Sequence, residues 1–256
     1  MSREGSPFPQ PAGPLVRSTV YGMPDSLSQV AMLRYDTTTK LWRDVPGTGA
    51  MAKALLDAGA PVNGGPEDRE TPLITAASYG DAEVAAALID AGADLDATAA
   101  PTAGGVPGGT ALLHAAVFGM TAIVDLLARA GARIDSLAEA AAVGDLSGRL
   151  TPDTPRDDRI RALVMAADHQ RLDAIDQLLD AGTPIDATDP RWGRQALRLA
   201  AANGRVASVT HLITRGADPD LRDPVDQRTA LDWCRHSGPS PEHTAVEAIL
   251  APITSD

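Results

Sequence analysis

Leu55-Leu56-Asp57-Ala58-Gly59-Ala60 returns as Leu88-Ile89-Asp90-Ala91-Gly92-Ala93, as Leu126-Leu127-Ala128-Arg129-Ala130-Gly131-Ala132, as Leu178-Leu179-Asp180-Ala181-Gly182-Thr183 and as Leu212-Ile213-Thr214-Arg215-Gly216-Ala217. A phrase that recurs at this interval marks a stack of small supersecondary units, each leaving an apolar face that only a neighbour can cover. The glycines at 59, 92, 131, 182 and 216 are separated by 33, 39, 51 and 34 residues. Two of these intervals give the bare period, and the other two carry inserted or degenerate sequence.

Upstream of the glycines runs a second phrase: Thr71-Pro72-Leu73-Ile74-Thr75-Ala76-Ala77, Thr110-Ala111-Leu112-Leu113-His114-Ala115-Ala116, Arg161-Ala162-Leu163-Val164-Met165-Ala166-Ala167 and Gln195-Ala196-Leu197-Arg198-Leu199-Ala200-Ala201. One unit shows the physics. Thr71 can cap a helix and Pro72 suits its first position, where the missing N–H has no intrahelical partner to lose. Ala76 and Ala77 let two helices approach closely, and Gly80 can stop the first helix in a left-handed conformation. A second helix from Asp81 places Val84, Leu88 and Ile89 on one apolar stripe, and Gly92 closes it.

The two phrases, in fixed order over residues 50 to 252, resemble the ankyrin repeat with its T-P-L-H-x-A motif. The resemblance implies an all-α solenoid of stacked helix-turn-helix units, about six to seven repeats including degenerate ones. Here Ile74, Leu113, Val164 and Arg198 stand where the family's motif has His. The hydrogen bonds that this His makes between repeats are therefore expected to be replaced by apolar packing. Leu137 to Asp145 repeats the small-residue helix and its glycine stop. Ser147, Gly148 and Thr151-Pro152-Asp153-Thr154-Pro155 then break any second helix, so the stack is expected to be irregular there. Thr98 to Gly109 lengthens one loop, and Thr229 to Leu250 reads as a C-terminal cap.

Residues 1–48 lie outside the clear repeats: Met1 to Pro14 is expected to be disordered. Met32, Leu33, Tyr35, Leu41 and Trp42 suggest a degenerate first repeat or a short hairpin covering the open end. The repeat domain is expected over 49–252, with a tail at 253–256.

A net charge of -12 and a pI near 4.7 disfavour nucleic acid, whose phosphates call for a basic surface. The single cysteine, Cys234, excludes an internal disulfide and fits a reducing compartment. No leader or long apolar run is seen, so a cytoplasmic protein is expected. Lysine is confined to Lys40 and Lys53 while arginine and alanine abound, as a GC-rich bacterial gene would give.

No nucleotide, serine-hydrolase or zinc motif is present, and no cofactor or metal is expected. Asp94-Leu95-Asp96 and Asp218 to Asp223 read as solvated turns, lacking the glycine and terminal Glu of a calcium loop. The resemblance places function on a concave surface made of inter-repeat turns and the ends of first helices. In that register Ser78 and Tyr79, Val117 and Phe118, Ala142 and Val143, Asp168 and His169, Ala202 and Asn203, and His236 and Ser237 are expected to be exposed. Arg191, Trp192, Arg194, Arg222 and Arg228 occupy turn tips. Aromatic and arginine side chains dominate binding hot spots. Tyr79, Phe118, His169, Arg191, Trp192, Arg194, Asn203 and Arg228 are therefore the candidate binding residues, for a partner protein carrying an acidic element. The alternative is a small-molecule-binding or cyclase-like enzyme, with Thr98 to Gly109 as a lid over the groove and His114, Asp168 or His169 as acid or base.

Overall fold

Small first helices and longer-sided second helices alternate along the chain. The computed structural model describes residues 27–33, 35–36, 41–42, 45–65, 67–103 and 105–255. The expected disorder of residues 1–14 lies outside them. The chain divides into two compact units, residues 1–133 and 134–256.

In the first unit, α1 (Leu27–Met32) is followed by an antiparallel pair of two-residue strands, β1 (Tyr35–Asp36) and β2 (Leu41–Trp42), with Tyr35 opposite Trp42. Three helix pairs result: α1 with α2 (Thr48–Asp57), α3 (Pro72–Tyr79) with α4 (Ala82–Asp90), and α5 (Ala111–Val117) with α6 (Thr121–Ala130). First helices pack on first helices, α1 on α3 and α3 on α5, while second helices run α2 on α4 and α4 on α6.

The second unit opens with α7 (Leu137–Val143), which packs directly on α8 (Arg156–Asp168) with only turns between them. The second helix of that degenerate unit is indeed missing. Then α9 (Leu172–Asp180) pairs with α8, α10 (Ala196–Ala202) with α11 (Val206–Thr214), and α12 (Ala230–His236) with α13 (Pro241–Leu250).

Local chemistry sets these boundaries. Thr71, Thr110, Ser136, Gln195 and Thr229 each accept a hydrogen bond from the backbone N–H three residues on, capping their helices, and Thr229 with Asp232 forms a full capping box. Helix α8 lacks such a cap. Pro155 precedes it, and the helix starts six residues ahead of the repeat register, which puts Arg161 inside a helix. The alanines at the centre of first helices, Ala76, Ala77, Ala115, Ala116, Ala140, Ala141, Ala166, Ala167, Ala200 and Ala201, are fully buried. Val84 and Leu88, Ile123 and Leu127, Ala174 and Leu178, and Val246 and Leu250 form the buried i, i+4 stripes of second helices.

The loops are stitched from repeat to repeat. The residue four after the phrase glycine accepts from the backbone N–H two after the next glycine: Asn63 from Asp94 (2.8 Å), Asp96 from Arg133 (2.8 Å) and Asp186 from Asp218 (3.1 Å). Asp220 likewise holds the hydroxyl of Ser255 at 2.8 Å.

The expectation that apolar packing replaces the bonds between repeats is corrected in one place. His114, one residue after the motif position, joins α5 to Ser78 of α3 at 2.8 Å. Arg198, at the motif position itself, is buried yet reaches Thr188 at 3.5 Å.

Gly92 has φ +83, and a methyl group added there would meet nothing within 4 Å. Gly92→Ala therefore tests backbone strain alone, and urea unfolding should show a loss of about 1 kcal/mol with an unchanged slope. An unaltered midpoint would contradict the left-handed helix stop.

Candidate functional site

The richest side-chain constellation lies in the second unit, on two turns of matching build. Asp189-Pro190-Arg191-Trp192-Gly193-Arg194-Gln195 and Asp223-Pro224-Val225-Asp226-Gln227-Arg228-Thr229 each lead into a first helix. In both, the Asp N–H donates to the Arg carbonyl, Asp189 to Arg194 (2.8 Å) and Asp223 to Arg228 (3.0 Å). In both, the residue before that Arg has positive φ and donates back to the Asp carbonyl. Gly193 adopts this conformation freely. Gln227 adopts it at φ 56 with its side chain also donating to the Asp223 carbonyl, a local hydrogen bond that offsets strain of about 1–2 kcal/mol.

The turn carboxylates are buried and occupied. Asp189 accepts from the Trp192 N–H at 2.9 Å and sits 3.3 Å from Arg161 Nε. Asp223 accepts from the N–H groups of Val225 (3.0 Å), Asp226 (2.6 Å) and Arg228 (3.2 Å) and from Trp233 Nε1 (3.0 Å). Burial pushes the Asp223 pKa up, but these donors outweigh it and hold the carboxyl below its ordinary value.

Around the half-buried Trp192 ring stand three guanidinium groups, Arg191 at 5.1 Å, Arg161 at 5.5 Å and Arg194 at 5.8 Å from its centroid. On the next turn Arg228 lies 5.2 Å from the Trp233 ring. Guanidinium over an indole face is a favourable arrangement that leaves the N–H edge free to bond elsewhere. Burial lowers the Arg194 pKa, against which Asp168 and Asp189 act.

Several candidate residues sit elsewhere than their register suggested. Asp168 and His169 were expected on the surface but are each 1% exposed. The reason is the next repeat: Asn203 Nδ2 and Arg205 Nε reach across and donate to Asp168 at 2.7 and 3.0 Å. Asn203 is thus engaged in holding that carboxylate. Val117, Ala142 and Ala202 are likewise buried rather than exposed, since helices pack over these ends. In the first unit, Tyr79 and Phe118 are half-buried. Phe118 stands against the His114 ring (centroids 6.1 Å apart) and beneath the 98–109 loop.

That loop does cover His114. Nε2–H donates to the Val106 carbonyl at 3.0 Å, which leaves Nδ1 to accept from Ser78. Both ring nitrogens are engaged and the ring is fully buried. Burial, only partly opposed by the Val106 hydrogen bond, lowers its pKa from 6.5 to about 4. In the second unit a shallow depression of about 310 Å³ is lined by Val143, Gly144, Gln170, Arg171, Leu172, Asp173 and Ala174 and opens to solvent. Among the described residues no cluster of three or more His, Cys, Asp or Glu is set to hold a metal ion, and no helix is long and apolar enough to cross a membrane.

The sequence reading missed Arg161, Arg198, Asp189, Asp223 and Trp233. One signal was present: the Asp-Pro pair recurs at 189 and 223, one bare period apart.

A family model described as ankyrin repeats (3 copies) matches residues 47–138 and 149–252, more than half of the chain. The chain belongs to the ankyrin-repeat family. Ankyrin repeats generally serve as protein-protein interaction modules. The ankyrin repeat and SAM domain-containing protein 6 of Danio rerio is 41% identical over 73 residues, 28% of this chain. The chain spans about a tenth of the length of that relative, 10%. The human ASB11 ankyrin repeat domain aligns over 90% of this chain and 98% of its own, with 23% identity and a TM-score of 0.42.

The His114 ring is expected to stay neutral down to about pH 4 in an NMR titration assigned with a His114→Gln variant. The unfolded ring takes its proton near 6.5, so between 6.5 and 4 the unfolded chain holds the extra proton and this group's share of stability is lost as pH falls. A titration midpoint near 6.5 in the folded protein would contradict the buried, doubly bonded ring.

Proposed function

We propose that this ankyrin-repeat protein is a non-enzymatic binding module that holds a partner protein carrying an acidic element through its inter-repeat turns and the exposed ends of its first helices. The repeat domain spans 49–252 and works in the cytoplasm as a scaffold, adaptor or inhibitor, without cofactor or metal. One observation carries this reading: Arg191, Arg194 and Arg228 of two successive turns, with Arg161 of α8, stand over Trp192 and Trp233 in a chain whose net charge is -12. Aromatic rings and arginines concentrated at turns are the side chains from which interface hot spots are built. The overall negative charge weighs against nucleic acid, while a short acidic segment feels chiefly the cations within about 8 Å, the range of screening at physiological salt.

The residues that an enzyme or small-molecule site would use are tied up in structure. His114 has both nitrogens bonded, Asp168 is held by Asn203 and Arg205, and His169 is buried. These facts support the binding module over a cyclase-like enzyme.

Affinity capture with the full chain tests this reading, comparing wild type with an Arg191→Ala, Trp192→Ala variant and a Tyr79→Ala, Phe118→Ala variant of checked helicity. The expected outcome is a dominant protein partner whose affinity drops at least about tenfold in one variant, the scale of losing a hot-spot contact. A retained small molecule with no protein partner would overturn it.

A further inference from the structure

The helix pair that begins the first unit carries an apolar face that the preceding reading does not use. Counting back eight residues from each phrase glycine gives Met51 in α2, Val84 in α4, Ile123 in α6, Ala174 in α9 and Ser208 in α11. The last four are at most 1% exposed, whereas Met51 is 46% exposed. Four residues before the glycine the contrast returns: Leu88, Leu127, Leu178 and Leu212 are fully buried, while Leu55 is only half-buried. With the exposed Ala54 and Ala58, these two side chains make an apolar stripe at i, i+3, i+4 and i+7 along α2 and its C-cap. Its partner helix is short: α1 has six residues, fewer than any other described helix, and is followed by Leu33, itself 44% exposed.

The chain just ahead of α1 has the chemistry to cover this stripe. Residues 1–26 run directly into α1 and lie outside the described residues. Within them, Pro14-Leu15-Val16-Arg17-Ser18-Thr19-Val20-Tyr21-Gly22 repeats the pattern of Pro72-Leu73-Ile74-Thr75-Ala76-Ala77-Ser78-Tyr79-Gly80, the stretch that forms α3 and its C-cap. Both start with Pro, Leu and a β-branched apolar residue, and both end with Tyr and Gly. In α3 the Pro opens the helix and Gly80, at φ +72, closes it. On a helix of that pattern Val16 and Val20, four apart, share one face. Ser18 and Thr19 stand where α3 has its paired alanines, which suits a terminal helix with one side in water.

We propose that residues 14–22 fold back as a short helix and lay Val16 and Val20 on the Met51 and Leu55 stripe of α2, closing the open end of the repeat stack. The link allows it. Residues 23–26, at about 3.3 Å each, span about 13 Å, more than the distance of about 8–10 Å between packed helices. So short a tether also gives the segment an effective concentration of about millimolar, which places it ahead of a second copy of the chain for the same face.

Hydrogen-deuterium exchange of the full chain tests the proposal, comparing wild type with a Val16→Asp, Val20→Asp variant and a Met51→Asp variant. In wild type the amides of 16–22 should exchange at least about tenfold more slowly than in an unstructured chain, to the same extent at every protein concentration. The Val16→Asp, Val20→Asp variant should lose that slowing and exchange faster at 51–58 as well, with α4 and α6 unchanged. Met51→Asp should release 16–22 in the same way. If it also loosens α4 and α6, the Val16→Asp, Val20→Asp chain decides alone, because its substitutions lie outside the repeats. Exchange of 16–22 at the unstructured rate in wild type would overturn the proposal. Slow exchange at 16–22 with 51–58 indifferent to the Val substitutions would place the segment elsewhere and overturn it too. Slowing that grows with protein concentration, together with a dimer in sedimentation, would give the face to a second copy. Slowing of 51–58 only in the presence of a captured protein would give it to a partner, and either result sinks the proposal. These substitutions leave the turns of the second unit untouched, so the binding-module reading stands or falls separately.

Discussion

Everything in this chain follows from how little side chain its first helices carry at their centres. Two adjacent alanines, fully buried in α3, α5, α8 and α10, let one backbone lie close to the next. Close approach fixes the offset between repeats, and a fixed offset brings the same position of successive loops to the same place. The carboxylates and amides four residues past the phrase glycine can then each find the next loop's backbone N–H, as Asn63, Asp96 and Asp186 do. Larger residues at the alanine positions would move each loop out of reach of its neighbour.

With the spacing set, buried polar groups become connectors between repeats. His114 reaches back to Ser78, Asp168 receives Asn203 and Arg205 from the repeat that follows, and His243 Nε2 donates to the Ala202 carbonyl at 2.9 Å. Each of these has the chemistry of a catalytic group and spends it on hydrogen bonds within the fold. On the turns, Arg191 and Arg228 stand over the tryptophan faces at 5.1 and 5.2 Å.

The residues that speak through local conformation were legible in the sequence. Thr71 and Pro72 start a helix and Gly92 ends one because capping and positive φ are decided within a few residues. The loss of a second helix after α7 followed from Ser147, Gly148 and two prolines in the same way. Exposure was not legible, because it depends on partners about one repeat away. Register alone placed Asp168 and His169 on the surface, yet residues 35 and 37 positions later close over Asp168. The early start of α8, with Pro155 in place of a capping hydroxyl, brought Arg161 to Trp192, a pairing that no spacing rule would have suggested. Arg198 was visible only as a departure from a motif; its burial is set by the packing of α10 against α8 and α12.

The functional account comes down to whether the two Asp-Pro turns of the second unit are the surface that a partner covers. Hydrogen-deuterium exchange of the full chain, free and bound to the partner recovered by capture, asks this directly. The expected result is slower exchange on binding at 188–195 and 222–229, with the second helices α9 and α11 unchanged. Slowing confined to α9 and α11, while both turns exchange as in the free chain, would contradict the account.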